Sequence, residues 1–151
     1  MSEPLMTEPP VRRAVRPRDA ASLVLIDRTN TEPRVLMGRR HARMKFVPDA
    51  FVFPGGKLDA ADSTVIPASR LTPATKTLMK RAAASQIKAE SLAVAAIRET
   101  FEETGLLVAA PGHLGDAPGE AWQHFREHGL APRLDVLEIV ARAITPASSP
   151  I

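Results

Sequence analysis

The chain has 151 residues, 44% of them hydrophobic, and a formal net charge of +3, which together indicate a single globular domain. It contains no cysteine, which excludes disulfide bonds and thiolate metal ligands. The longest apolar runs are too short to cross a membrane, and the start has no secretory signal pattern. We therefore expect a cytoplasmic protein without membrane association.

The first predicted elements are a leader and a hairpin. Residues 1–18 are rich in proline and poor in apolar residues, which predicts a flexible leader ahead of one domain over residues 19–151. The apolar run 20–27 predicts a buried strand. After a turn, residues 34–38 predict a second strand that pairs with the first as a hairpin.

A glycine pair follows the third predicted strand. Residues 50–53 predict this strand, and Pro54-Gly55-Gly56 is expected to end it. Two glycines let the backbone approach a ligand closely and expose its amides and carbonyls. The alternative is an ordinary tight turn without a ligand.

The later elements are mostly helical. An alanine-rich stretch with proline near its start predicts a helix, and Trp122 lies three residues before Phe125, which favours core packing over a stacking platform. The sequence predicts helices over residues 73–84, 118–128 and 134–143, and a strand over residues 106–109.

The stretch over residues 97–105 carries the clearest chemical signal. In a helix, Glu99, Glu102 and Glu103 share one face, where like charges repel by roughly a few tenths of a kcal/mol per pair. A hard divalent cation, Mg²⁺ or Mn²⁺, would turn that repulsion into binding. The alternative is a solvated acidic face. The expected core stripe on the opposite side consists of Ala93, Val94, Ile97 and Phe101, and Gly105 is suited to end the helix.

Together with the glycine pair, this stretch resembles the Nudix box, G-x5-E-x7-R-E-U-x-E-E-x-G-U, in which U is a bulky aliphatic residue. Thr100 stands at an aliphatic position, and 33 residues separate Gly56 from Glu90 where the box has five. Residues 57–89 are therefore interpreted as an insertion on the surface that could cover the pocket or contact a partner. The matching positions are Gly56, Glu90, Arg98, Glu99, Glu102, Glu103, Gly105 and Leu106.

The resemblance implies an α/β fold, in which a mixed β-sheet lies between helices as an α/β/α sandwich. In such a fold, further strands and a helix follow the box, so we expect this chain to be incomplete at its C-terminal end. The implied activity is metal-dependent hydrolysis of a small-molecule nucleotide that contains a diphosphate. A homodimer is expected by analogy alone.

The resemblance also implies roles for the box residues. Glu99, Glu102 and Glu103 are expected to bind Mg²⁺ or Mn²⁺ together with the Gly55 carbonyl. Glu99 is also the expected base for the attacking water.

Two further box residues are expected to support catalysis. Arg98 is expected to orient the glutamates through ion pairs, and Glu90 is expected to be the partner of Arg98. The alternative for Arg98 is an exposed helix salt bridge, which contributes little to stability.

The substrate is less well defined by the sequence. Arg39, Arg40 and Gly56 are candidates for binding substrate phosphate, and the alternative for the arginines is solvated charge. Nucleic acid is the weaker explanation of this basic group, because no aromatic residues are interleaved with the arginines.

The long box insertion resembles that of the coenzyme A diphosphatase branch, which implies coenzyme A or acyl-coenzyme A as substrate and 3′,5′-ADP and (acyl-)phosphopantetheine as products. Alternatives are a dinucleotide, a nucleotide sugar, or a non-catalytic Nudix-like fragment. The coenzyme A signature is matched at Leu36, Arg40 and residues 53–56, and it is not matched at Gly38, His41, Lys45 and Asp49.

Overall fold

The structure is a computed structural model that describes residues 18–43, 48–83 and 85–144. The predicted leader before residue 18, Lys45, and the residues after 144 lie outside this part of the chain. The strands are β1 (Ala20–Ser22), β2 (Ile26–Asp27), β3 (Arg34–Val35), β4 (Gly38–Arg39), β5 (Phe51–Val52), β6 (Gly55–Lys57), β7 (Ala109–Pro111) and β8 (Leu130–Pro132). The helices are α1 (Pro73–Ala83), α2 (Gln86–Thr104) and α3 (Glu120–Glu127), with a 3₁₀ turn at Ala60–Ser63.

The strands form antiparallel pairs, namely β1 with β6, β2 with β3, β4 with β5, and β7 with β8. Ser69 and Arg133 add an isolated parallel bridge between the segment after the 3₁₀ turn and the segment after β8. Helices and strand pairs therefore combine in an α/β fold, which confirms the predicted class. Within the described residues, no helix is long and apolar enough to cross a bilayer.

The first predicted strand is divided between two partners. β2 pairs with β3, which confirms the hairpin, whereas β1 pairs with β6 much further along the chain. Between them, the amide of Leu23 donates to the carbonyl of Pro54 at 2.9 Å. The predicted burial of this run is wrong, because none of its residues is buried and Ile26 remains 48% exposed.

The third strand, β5, ends at Val52 ahead of Pro54, as predicted, but the glycine pair itself begins a further strand that was not predicted. Gly55 and Gly56 are the first two residues of β6 and stand opposite Ser22 and Ala21. Gly55 has φ +155°, and a Cβ built on it would lie 2.4 Å from the carbonyl oxygen of Ala21. Glycine is required here because β1 approaches the backbone more closely than a side chain allows.

Helix α2 is the centre of the core and confirms the predicted acidic helix. Its start is capped by Ser85, whose hydroxyl accepts from the Lys88 amide, and it ends at Gly105 with φ +72°. Its apolar side is buried against α3 and the segments beside it. The fully or almost fully buried residues of this interface include Val94, Ile97, Trp122 and Phe125, as the spacing predicted.

The predicted insertion is part of the core, so its interpretation as a surface excursion is wrong. Val65 and Leu71 are buried in the same cluster as Ile97 and Trp122. The predicted helix in this segment is confirmed as α1. Hydrophobic burial therefore holds both ends of the connection between the 3₁₀ turn and α1 against the body of the fold.

The predicted helix over residues 134–143 is wrong, since this stretch has no helix and β8 precedes it. Leu134 is fully buried, but Val140 is 82% exposed. The apolar residues of this stretch therefore do not pack together against the core as one helix face would. The Thr75 hydroxyl also donates to the carbonyl of Leu137 at 3.0 Å, which engages that carbonyl outside a helix. The strand predicted over residues 106–109 begins only at Ala109.

Candidate metal and substrate site

Arg98 is the centre of the charged face of α2. Its side chain is 12% exposed, and Nη1 donates to Glu99 Oε1 at 2.9 Å and to Glu102 Oε2 at 3.0 Å. One guanidinium therefore lies between two of the three carboxylates. The ion pairs of Arg98 with these glutamates agree with the sequence prediction.

The second partner of Arg98 is Asp62, on the 3₁₀ turn. Arg98 Nε donates to Asp62 Oδ1 at 2.8 Å and Nη2 donates to Oδ2 at 3.1 Å, so the pair is bidentate. The Asp62 side chain is fully buried and also accepts from the Asp59 amide at 2.8 Å. Arg98 Nη2 donates in addition to the Lys57 carbonyl. The hydrogen bond with Asp62 is the main cause that raises the pKa of Arg98 above its ordinary value.

Sequence reasoning did not select Asp62, although a signal was present. Five residues separate Gly56 from Asp62, which is the spacing that the box gives between its glycine and its first glutamate. Aspartate at that position and the long gap before Glu90 concealed the match. Asp59 caps the turn with its carboxylate, and Asp62 bonds back to the Asp59 amide, so the turn forms a capping box.

Glu90 does not join this network. Its carboxylate forms an ion pair with Arg70 Nη1 at 2.6 Å, whereas the five described hydrogen bonds of Arg98 go to Asp62, Glu99, Glu102 and the Lys57 carbonyl. Eight helical residues rise by about 12 Å, which places Glu90 more than two turns from Arg98. The predicted pairing of Glu90 with Arg98 is therefore wrong.

The glycine pair lies directly against the acidic face. The Gly55 amide donates to Glu103 Oε2 at 3.2 Å. A Cβ built on Gly56 would lie 2.5 Å from the carboxyl carbon of Glu99. The structure thus brings together the glycines and the glutamates that the sequence separates by more than 40 residues.

The three carboxylates are the residues that the sequence predicts as ligands of a divalent cation. In the described hydrogen bonds each uses one oxygen, namely Glu99 Oε1, Glu102 Oε2 and Glu103 Oε2, which leaves the second oxygen of each for a ligand. Carboxylate oxygens suit Mg²⁺ and Mn²⁺, so the chemistry of the set fits such an ion. In the described ranges, no three His, Cys, Asp or Glu side chains are already gathered around a common point.

The surroundings of Glu102 disfavour its ionised form. Burial is the largest cause that raises the pKa of Glu102, and the neighbouring charge of Glu99 adds to it, while Arg98 acts in the opposite direction. The negative charge of Glu102 is therefore poorly compensated in the metal-free protein. A cation at this face would supply the missing positive charge.

Thr100, which departs from the aliphatic residue of the box, is fully buried. Its hydroxyl donates to the Ala96 carbonyl at 2.7 Å, so the polar atom is satisfied within α2. The rest of the side chain takes the place of a small aliphatic residue in the core. This departure consequently leaves the helix intact.

The predicted phosphate-binding arginines lie on β4 and just after it. Arg39 forms an ion pair with Asp49 at 3.1 Å, and both side chains are more than half exposed. The Arg40 amide donates to the Ala50 carbonyl, which continues the pairing of β4 with β5. Asp49 therefore offsets part of the charge that Arg39 would offer to a phosphate.

Comparisons with known proteins agree with this geometry. A Caenorhabditis elegans protein assigned as nudix hydrolase 7 is 33% identical over 95 residues, which cover 63% of this chain and 24% of that protein. The crystal structure of a NUDIX hydrolase from Alicyclobacillus acidocaldarius is similar with a TM-score of 0.62 and 32% identity, over 89% of this chain and 64% of the other. No protein-family model matches the chain.

The chain thus spans about a quarter of the length of the first relative and 64% of the second. Identity above 30% in the structural comparison, together with the TM-score, shows that the fold is that of a Nudix hydrolase. Both relatives are named as Nudix hydrolases, and two of the residues that bond Arg98, Glu99 and Glu102, match the box. In sequence and in fold, the chain is thus similar to Nudix hydrolases.

Proposed function

We propose that this chain hydrolyses a nucleoside diphosphate-linked compound with Mg²⁺ or Mn²⁺, and that coenzyme A or acyl-coenzyme A is the substrate class. The observation that carries the proposal is the joining of the glycine pair to the acidic face of α2. Gly55 contacts Glu103, and Gly56 leaves no room for a side chain beside the carboxylate of Glu99. A helix face that served only as a solvated surface would not need this close approach.

Glu99, Glu102 and Glu103 would hold the cation, with the Gly55 carbonyl as a further ligand. When bound, the ion supplies positive charge that polarises the phosphoryl oxygens. Arg98 keeps Glu99 and Glu102 in place through the bonds from Nη1. Like charges on one helix face are thereby held together before the ion arrives.

In the reaction, a water oxygen forms a bond to one phosphorus while the bridging P–O bond of the diphosphate breaks. The electron pair of that bond stays with the leaving phosphate, and the proton of the water passes to a carboxylate oxygen. Glu99 is the proposed acceptor, because it lies against Gly56 at the junction of β6 and α2. Arg39, Arg40 and the backbone at Gly56 are the proposed contacts of the substrate phosphates.

Coenzyme A is favoured by the residues of its signature that are present around β4 to β6. Arg40, Phe53 and the glycine pair match that signature. Hydrolysis would then give 3′,5′-ADP and phosphopantetheine, or acyl-phosphopantetheine from an acyl-coenzyme A. Because Gly38 and Asp49 depart from it and Asp49 pairs with Arg39, a dinucleotide or a nucleotide sugar is the second candidate.

The test is hydrolysis of a panel that contains coenzyme A, an acyl-coenzyme A, a dinucleotide polyphosphate and a nucleotide sugar, each with Mg²⁺ and with Mn²⁺. The variants are Glu102→Gln in the site and Glu32→Gln in the exposed turn between β2 and β3, which is the matched control. We expect the wild type and the control to release 3′,5′-ADP from coenzyme A, and Glu102→Gln to lose at least about tenfold in rate.

Turnover of only the other compounds would select the second candidate. Absence of metal-dependent turnover by the wild type would overturn the proposed activity and leave a non-catalytic Nudix-like domain. Equal rates for Glu102→Gln and the control would contradict the proposed site.

A further inference from the structure

Two acidic residues could each match the first acidic position of the box. Glu90 stands seven residues before Arg98, counted between the two, and Asp62 stands five residues after Gly56, counted in the same way. Each satisfies one half of the pattern, and the long connection between them separates the halves. The contacts of the two carboxylates distinguish them.

Asp62 has the environment of a residue that positions another. Its side chain is fully buried, both of its oxygens bond Arg98, and Oδ2 also accepts from the Asp59 amide. Arg98 in turn bonds Glu99 and Glu102 through its remaining nitrogen, Nη1. Asp62 therefore fixes the position of the Arg98 guanidinium. The guanidinium in turn fixes two of the proposed metal ligands, Glu99 and Glu102.

Glu90 has a different set of contacts. Its described bond is to Arg70, which lies within the inserted segment and has a side chain that is 65% exposed. This pair joins the segment before α1 to the first half of α2. The pair holds the inserted segment against α2, and Glu90 makes no described contact with Arg98.

We propose that Asp62 is the positioning residue of the metal site, acting through Arg98, and that Glu90 serves instead to hold the inserted segment. The insertion then begins after Asp62 rather than after Gly56. The inference rests on the proposed function, since the site that Asp62 positions is the proposed Mg²⁺ or Mn²⁺ site.

The test compares two substitutions that each remove one carboxylate charge at nearly constant size, Asp62→Asn and Glu90→Gln. Electron paramagnetic resonance measures the dissociation constant for Mn²⁺, at a temperature where circular dichroism shows that each variant is folded. We expect Asp62→Asn to weaken Mn²⁺ binding by about tenfold or more. Glu90→Gln should weaken it by less than about threefold, because Glu90 pairs with Arg70 and makes no described contact with Arg98 or the proposed metal ligands.

Three further variants separate positioning from a general structural effect: Arg98→Lys, its combination with Asp62→Asn, and Asp62→Glu. If Asp62 acts through Arg98, then Asp62→Asn should add less than about twofold to the loss already caused by Arg98→Lys. Asp62→Glu, which keeps the charge and supplies the residue of the box, should restore Mn²⁺ binding to within about threefold of the wild type. Additive losses, or a larger loss for Glu90→Gln than for Asp62→Asn, would overturn the inference.

A measurement on the wild type covers the case in which Asp62→Asn does not fold. The Nε–H of Arg98, bonded to buried Asp62, should exchange with water at least about tenfold more slowly in ¹⁵N NMR than that of Arg34, which lies on exposed β3. Equal exchange would overturn the inference. A wild type that binds no Mn²⁺ would overturn the proposed function as well, whereas normal binding by folded Asp62→Asn would overturn the inference alone.

Discussion

The two faces of α2 have opposite relations to water and to stability. Ile97 and Val94 are almost completely buried, whereas Arg98, the next residue after Ile97, is surrounded by Glu99, Glu102 and Asp62. The apolar face contributes to folding by removing hydrocarbon from water. The charged face concentrates carboxylates that repel each other, and Arg98 compensates only part of that repulsion. Substitutions on the two faces should therefore change different measured quantities.

The largest expected loss of stability comes from the apolar face. Ile97→Ala should lower the free energy of unfolding by about 2–5 kcal/mol, because it opens a cavity at a fully buried position. Urea denaturation measures this loss. Leu78→Ala on α1, where the side chain is 50% exposed, is the control and should change stability by less than about 1 kcal/mol. Equal effects of the two substitutions would contradict the description of the core.

A smaller loss is expected where the strands meet the site. Gly55→Ala should lower the free energy of unfolding by about 1–3 kcal/mol, because the new Cβ would meet the backbone of Ala21 and Ser22 at a positive φ. The same urea experiment measures it. An unchanged midpoint and slope would show that β1 and β6 are further apart than described.

Gly56→Ala should weaken Mn²⁺ binding while changing the free energy of unfolding only slightly. Its Cβ would meet the flexible end of Glu99 rather than backbone, so the stability should fall by less than about 1 kcal/mol. Displacement of Glu99 should nevertheless weaken Mn²⁺ binding by about tenfold. Calorimetric titration with Mn²⁺ measures the second effect. A variant with unchanged Mn²⁺ affinity would remove Glu99 from the proposed ligands.

The smallest effect is expected from Glu102→Gln in the metal-free protein. The raised pKa of Glu102 means that its ionised form is disfavoured in the folded state. Wild-type stability from this group is complete below the ordinary pKa of 4.5 and is lost as pH rises through the higher folded value. Glu102→Gln avoids that loss and should gain roughly a few tenths of a kcal/mol above that window, since water screens a side chain that is 42% exposed.

Thermal melts of both proteins at several pH values, without metal, measure this gain. A variant that is less stable than the wild type at neutral pH would show that the Arg98 bond outweighs burial and repulsion. Addition of Mg²⁺ should reverse the order, because the wild type gains stability from binding and the variant gains less.

Sequence reasoning succeeded where a local rule decided the structure. The helix period placed Glu99, Glu102 and Glu103 on one side of α2, and Gly105 ends that helix as its type favours. Apolar spacing over residues 134–143 predicted a helix on the same grounds. That prediction was wrong, because Val140 does not pack against the core and the Leu137 carbonyl accepts a hydrogen bond from the Thr75 hydroxyl.

Contacts between distant segments were less predictable. The glycine pair was expected near the acids, but its place inside β6 depends on pairing with β1, which no local pattern specifies. Asp62 could have been selected from its distance to Gly56, whereas its burial and its bidentate bond to Arg98 follow from tertiary packing. The pairing of Glu90 with Arg70 likewise depends on the path of the inserted segment.

The central claim is that divalent cations bind where β6 meets the acidic face of α2. Paramagnetic broadening of amide NMR signals tests this claim most directly. Substoichiometric Mn²⁺ is added to the wild type, and Mg²⁺ is then added in excess as competitor. We predict that the signals of Gly55, Gly56 and the last turn of α2 broaden first and recover with Mg²⁺, while that of Glu32 stays sharp. Broadening that spares Gly55 and α2, or that is equal throughout the chain, would contradict the account.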